Sequence, residues 1–177
     1  MTTETPSSTP IADAVRHYLD NEGWKYTSRE SEGLVMFSAG VTLPNGEFRT
    51  SFDADDGDER FAVYVYSSVY IPESRRLAVV EYLTRVNYTR FLGKIEMDLD
   101  DGEIRSVTSV TVEGSHLSQA MIDSLENAAH FNLSDAYPGI MAIAFGEVSP
   151  QSAFDAYQNR NETQADDVTD NTEEATA

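Results

Sequence analysis

The sequence predicts an α+β fold: a mainly antiparallel sheet of five to six strands flanked by helices, in the order α-β-β-β-α-β-β-α. Three observations predict it. Apolar residues recur at helical spacing near the start, in the middle and through the last third. Between these segments lie runs that alternate apolar and polar with the period of a half-buried strand. Asn-Gly and Asp-Gly pairs join those runs, and two-residue turns of that kind connect antiparallel neighbours. A chain of 177 residues fits one ordinary domain.

The elements follow in order. Residues 1–9 are polar, with neither the basic stretch nor the apolar stretch of a secretory signal, and are expected to be disordered. Thr9-Pro10 opens the first helix as cap and first helical position, Ile11, Val15, Tyr18 and Leu19 share its apolar face, and Gly23 stops it. Trp24 and Tyr26 alternate with Lys25 and Thr27 and suggest a short strand. Val35, Phe37, Ala39 and Val41 then alternate, Asn45-Gly46 turns the chain, and Phe48, Thr50 and Phe52 return. Asp56-Gly57 turns it again into Phe61, Val63 and Val65, giving a three-stranded meander.

A second helix begins at Pro72-Glu73 and points Leu77, Val80, Leu83 and Val86 at the core, with Arg85 and Arg90 at the end where the helix dipole favours cations. Ile95, Met97 and Leu99 form the next strand, Asp101-Gly102 turns, and Ile104 to Val112 returns. Leu117, Met121, Leu125 and Ala128 share a helical face that Pro138-Gly139 interrupts before Ile140 to Phe145 resume it. Ser149-Pro150 caps a short last helix with Phe154 and Tyr157. The domain is drawn as residues 10–159. Residues 160–177 hold six acids, one base and no aromatic residue, too little apolar surface to offset the entropy of ordering, and are expected to form a disordered acidic tail.

Composition excludes several functions. The absence of cysteine removes disulfides, thiolate metal sites and thiol nucleophiles, and suits a reducing cytoplasm. No apolar run approaches the roughly 18 residues of a membrane helix. Thirty-one acids against twelve bases give a net charge of −19, which disfavours phosphate backbones and anionic lipid surfaces as partners. Asp53, Asp55, Asp56, Asp58 and Glu59 cluster at one turn, and Asp98, Asp100, Asp101 and Glu103 at another. Neither cluster keeps the spacing of a calcium loop, since the fifth and twelfth positions are Gly57 and Tyr64 in one frame and Gly102 and Ser109 in the other. His17, His116 and His130 are scattered, and no nucleophile elbow, phosphate loop or dinucleotide fingerprint occurs. No catalytic residue, metal set or cofactor is expected.

Tyr64, Tyr66 and Tyr70 are the candidate site. In a strand they share one face, opposite Phe61, Val63, Val65 and Val69. Three covers suit such a face: a helix or second copy of the chain, a foreign protein, or stacked bases, the last opposed by the net charge. Asn87-Tyr88 ends the second helix, with Asn87 placed to cap it or to bond the following loop.

The segment from Ile71 to Glu113 resembles the YbjN family of bacterial sensory transduction regulators. The resemblance rests on Pro72-Glu73-Ser74-Arg75-Arg76, Asn87-Tyr88, Gly93 and the series Glu96 to Arg105, and continues in Tyr137 to Ala142, Phe145-Gly146 and Ser149-Pro150. It implies a fold like that of type III secretion chaperones, often homodimeric, and regulation through protein contacts with no catalytic residues to carry over. The acidic tail and unusual charge depart from the family pattern. The expectation is a non-enzymatic, protein-binding regulator or chaperone-like module of the bacterial cytoplasm, as a homodimer; the alternative is a small-molecule or cation-sensing domain.

Overall fold

A computed structural model describes residues 10–174, with side chains as far as Glu162. The order is α1 (Ile11–Asn21), β1 (Thr27–Ser31), β2 (Leu34–Leu43), β3 (Gly46–Asp55), β4 (Arg60–Ser67), α2 (Glu73–Tyr88), β5 (Lys94–Met97), β6 (Ile104–Thr111), α3 (Gln119–Phe145) and α4 (Pro150–Glu174). The predicted α+β class and element order hold, filled by six strands and four helices among the described residues. All strand pairs are antiparallel in one six-stranded sheet, ordered β1-β2-β3-β4-β6-β5. The expected disorder of residues 1–9 lies outside the described residues.

Local chemistry decides where each element begins and ends. Pro10 at the start of α1 has no side-chain oxygen to offer, and the Asp56 carboxylate from the β3–β4 turn instead accepts the free N–H groups of Ile11 and Ala12. At the other end Gly23 and Trp24 donate to Asp20 and Leu19, the paired bonds of a Schellman stop. Trp24 and Tyr26 precede β1 rather than forming a strand, because their rings fold back onto Phe52 and Phe37.

The hairpins stand where predicted, but two of their turns are built differently. Leu43 pairs with Gly46, so Pro44-Asn45 is the two-residue loop, and Pro44 rather than a positive φ sets its bend. In the β3–β4 loop the left-handed residue is Glu59, with φ 49°, and not Gly57. β5 stops at Met97, so Leu99 is exposed and not part of a strand. Gly102 has φ 85°, and a Cβ there would lie 2.3 Å from the carbonyl oxygen of Ile71, so the turn needs glycine on both counts.

One sheet face carries the core. The register row Phe37–Phe52–Val63–Thr108 faces the helices, and α1 and α3 pack against it. α2 and α4 add a further layer on α3. α2 buries Val79, Tyr82, Leu83 and Val86, while Leu77 is 78% exposed, against the predicted stripe. The helix is rotated because Tyr82 is its central anchor. That ring lies against Gly139, where a Cβ would be 2.3 Å from the Tyr82 hydroxyl oxygen.

Pro138-Gly139 does not interrupt α3, which runs unbroken for 27 residues. A mid-helix proline removes one N–H and leaves the carbonyl four residues earlier without its donor. That carbonyl belongs to Ser134, and the Asn45 side chain from the β2–β3 loop donates to it at 2.8 Å. The neighbouring glycine serves close packing rather than breakage.

α4 exceeds the short helix expected from the sequence, so the boundary at residue 159 falls inside a helix. Arg160 and Asn161, assigned by the sequence to the tail, approach Asp135 of α3. Asp135 also pairs at 2.9 Å with Arg90, whose side chain is only 7% exposed and whose guanidinium lies between the Phe131 and Tyr157 rings. This knot joins α2, α3 and α4.

Candidate functional site: the uncovered face of the sheet

Strand alternation sends every second residue away from the helices. On that outer side the register sets four rows across the sheet. Gly40–Arg49–Tyr66–Arg105–Glu96 is the first and Ser38–Ser51–Tyr64–Val107–Lys94 the second. Met36–Asp53–Ala62–Ser109 and Leu34–Asp55–Arg60–Thr111 are the third and fourth, and the Thr42–Glu47 pair lies beyond the first row at the β2–β3 end. No described helix covers it.

Tyr64 and Tyr66 sit at its centre with ring centroids 6.0 Å apart and nearly parallel planes. Arg49 lies 3.9 Å above the Tyr66 ring and Arg105 lies 4.9 Å from that of Tyr64, so each aromatic ring carries a cation on its π face. Beneath them Ser51 and Val107 are buried, although they belong to the outer side. Arg105 also pairs at 2.6 Å with Glu96, which Lys94 contacts at 2.9 Å. Burial works against the Glu96 charge, but the two cations outweigh it and hold the carboxyl below its ordinary value. Burial pushes the Asp53 carboxyl up, with Ser51, Arg49 and Arg105 opposing. Among the described residues Arg49 makes no salt bridge.

Tyr70, the third predicted site residue, is not on this platform. β4 ends at Ser67, and Tyr70 stands 52% exposed in the following loop, its hydroxyl 3.4 Å from a Glu103 carboxylate oxygen. The two strand tyrosines are brought together and the loop tyrosine is held apart. The arginines were not singled out from the sequence. Arg49 follows from the β3–β4 hairpin register opposite Tyr66, whereas Arg105 reaches Tyr66 through the β4–β6 pairing, which joins strands separated by α2 and β5 and is not announced by a turn.

Charge is distributed unevenly. Five of the twelve basic side chains occupy outward strand positions (Arg29, Arg49, Arg60, Lys94 and Arg105) against four carboxylates (Glu47, Asp53, Asp55 and Glu96). The face is therefore close to neutral in a chain of net charge −19. Two open depressions flank Tyr64, one of about 510 Å³ towards Leu92 and Lys94 and one of about 400 Å³ towards Asp55 and Arg60.

The acidic turn clusters are engaged in local bonds. Asp55 accepts from the backbones of Gly57 and Asp58 and pairs with Arg60, while Asp98 and Asp101 accept from Asp100 and Glu103. Among the described residues no three His, Asp or Glu side chains gather where they would hold a metal ion. Asn87 bonds the following strand, donating to the Ile95 carbonyl at 2.7 Å and accepting its N–H at 2.9 Å, which occupies the edge of β5 as another strand would.

A second polar group lies inside the core. His130 shares a 2.8 Å hydrogen bond with Thr50, lies 3.7 Å from Glu126, and stacks against Trp24. Burial pushes the Glu126 carboxyl up to about 7, with Asp123 and Glu22 adding to the effect and Tyr18 opposing it. Burial alone pushes the His130 imidazole down to about 4. One Glu126 oxygen is buried without a hydrogen-bond partner. In the sequence His130 reads as one of three scattered histidines and Glu126 carries no signal, because the groups around both are distant along the chain.

Fold and site together define a one-sided α+β protein with an uncovered aromatic sheet face. The chain belongs to the YbjN family, whose description is "Putative bacterial sensory transduction regulator" and whose model matches residues 12–140. Two solved structures share the fold. An uncharacterized protein from Methanothermobacter thermautotrophicus is 15% identical with a TM-score of 0.55, over 76% of this chain and 99% of that one. YbjN from E. coli is 16% identical with a TM-score of 0.52, over 73% of this chain and 93% of that one. No curated protein matches the chain in sequence. Among the described residues no helix is long and apolar enough to cross a membrane.

Proposed function

We propose that this chain is a non-enzymatic regulator of the bacterial cytoplasm that acts by binding protein through the uncovered face of its sheet. The observation that carries the reading is the Tyr64–Tyr66 stack, held between Arg49 and Arg105 on a face that no described helix covers. Tyrosine and arginine are the residue types enriched where protein interfaces concentrate their binding energy. Tyrosine loses little side-chain entropy on binding and offers both an apolar ring and a hydroxyl. The near-neutral charge of the face matters as much, because an acidic partner approaching elsewhere meets a field of its own sign.

Replacing Tyr64 and Tyr66 together by Ser tests the reading. Their rings lie outside the core cluster, so circular dichroism and cooperative unfolding should survive. Association, followed by light scattering and by recovery of partners from the native host, should be lost. Retained association with an intact fold refutes the reading, and loss of the fold assigns the tyrosines to intramolecular packing. Tyr70→Ser, off the platform, is the control and should leave association unchanged.

A further inference from the structure

We infer that the uncovered half of β6 is a docking edge for an extended segment of a different protein, which adds to the sheet antiparallel to β6 and in line with β5. This edge is a second contact surface beside the tyrosine platform. β5 covers β6 only from Ile104 to Val107. The shortfall traces to Gly93, whose φ of 76° takes the chain out of the strand line, and Asn132 of α3 donates to the Leu92 carbonyl at 2.8 Å. A Cβ at Gly93 would lie 2.7 Å from the Val107 carbonyl oxygen, so the exit requires glycine. Beyond it, Thr108 to Thr111 have no strand beside them on that side. Val112 donates to Glu59 across the β4 side, and the direction of the backbone groups alternates along a strand. Ser109 and Thr111 therefore aim N–H and C=O at the open side, where no hydrogen bond reaches them among the described residues. Both residues are exposed.

Those groups specify the occupant. A partner that offers C=O and N–H at the same repeat of about 6.8 Å is an extended peptide. The other edges are blunted: Asn87 fills that of β5, and β1 carries Arg29 and Glu30 side by side, whereas Thr108 to Thr111 hold no charge. A side chain opposite Ser109 enters the depression of about 510 Å³ that Ser109 shares with Tyr64, Leu92 and Lys94. In its lining Lys94 and Arg105 share the Glu96 carboxylate, which leaves one positive charge over, and an acidic residue matches it. A residue opposite Val110 falls on the core side of the sheet, where Val110 packs, and should be apolar. A second copy does not fit the slot. Pairing Thr108–Thr111 with the same stretch of another copy would place that copy's Lys94 in the line of Val112.

The probe is the end-capped peptide Val-Thr-Val-Glu, whose last three residues fall opposite Thr111, Val110 and Ser109. Added at millimolar concentration to the isotope-labelled full chain, it should shift the amide resonances of Ser109 and Thr111. At half saturation it should slow their hydrogen exchange about twofold, since bound amides are shielded. N-methylation of its Glu, whose N–H faces Ser109, should abolish binding. N-methylation of the Val just before it, whose N–H faces away from β6, should leave binding intact. Ser109→Pro should also abolish binding and keep the fold, because an edge strand tolerates proline where the lost N–H faces solvent. If that variant does not fold, the two methylated peptides decide. No shift at β6, shifts confined to β1, or equal binding of the two methylated peptides overturns the inference. Protection of both amides before peptide is added overturns the choice of occupant. Protection independent of protein concentration assigns the edge to the chain's own termini, and protection that grows with concentration assigns it to a second copy. The double tyrosine variant plays no part in this test, so the platform reading stands or falls separately.

Discussion

Replacing Glu126 by Gln should make the protein gain stability with rising pH relative to the wild type, and replacing His130 by Gln should do the opposite. The Glu126 carboxyl is raised from 4.5 to about 7 in the folded chain. The folded state therefore holds that proton more tightly than the unfolded state. Its contribution to stability is complete below pH 4.5 and is lost as pH rises through 7. A gap of about 2.5, at about 1.4 kcal/mol for each pKa unit, makes that loss about 3 kcal/mol. His130 has the contrary sign. Its imidazole is lowered from 6.5 to about 4, so its contribution is complete above pH 6.5 and is lost as pH falls through 4, again by about 3 kcal/mol. In the wild type the two slopes nearly cancel between pH 4.5 and 6.5, because the pair holds about one proton in both states. Either substitution removes one slope and exposes the other. Urea unfolding at about pH 4.5, 5.5, 6.5 and 7.5 measures it, with each variant compared with wild type at the same pH. Variant-minus-wild-type curves that stay flat within about 0.5 kcal/mol would refute the assignment of a buried neutral carboxyl beside a buried neutral imidazole.

Four further outcomes are expected. Gly139→Ala should destabilise by about 2 kcal/mol or more, although alanine is the better helix former by about 1 kcal/mol, because the new methyl meets the buried Tyr82 ring; equal or greater stability in urea would contradict this. Asn45→Ala should cost about 1–2 kcal/mol by stranding the Ser134 carbonyl, and less in a Pro138→Ala background where the helix N–H returns; a double-mutant cycle with no coupling would contradict it. Truncation after Glu162 should leave the melting temperature within a few degrees, since Arg160 and Asn161, which approach Asp135, are retained; loss of cooperative unfolding would show that the tail is structural. Melting temperature should rise between about 0.05 and 1 M sodium chloride as screening relieves self-repulsion, and a flat or falling curve would mean that the acids are compensated locally.

The order of strands and helices along the chain was legible in the sequence because hairpins announce themselves locally, while the pairing of β4 with β6 was not. Alternation fixed which residues of β2, β3 and β4 face the core, and the antiparallel registers then placed Tyr64 and Tyr66 together on the other face. What escaped depends on groups far apart in the chain. Pro138 reads as a helix breaker until Asn45, in a loop on the sheet, supplies the missing donor. Leu77 reads as a core residue until Tyr82 and Gly139 set the rotation of α2. The cap of α1 comes from Asp56, an acid that in sequence is one of a cluster. Tyr70 lost its place because the spacing of two persists only while the strand does, and β4 ends at Ser67. Of the arginine partners of the tyrosines, Arg49 was within reach through the β3–β4 hairpin register, but Arg105 needed the pairing of β4 with β6, which α2 and β5 separate along the chain.

Photo-crosslinking from position 66 tests the protein-contact reading most directly. A photoreactive phenylalanine derivative replaces Tyr66 in the full chain, expressed in its native host, and irradiation should yield a discrete protein adduct. A probe at Asp13, exposed on α1 and remote from the sheet's outer face, serves as the control and should yield none. An adduct at twice the mass of the 19.6 kDa chain identifies a second copy, and any other discrete mass identifies a foreign protein. Equal labelling from both positions, or no adduct from position 66, would contradict the assignment of the uncovered sheet face as the site of contact.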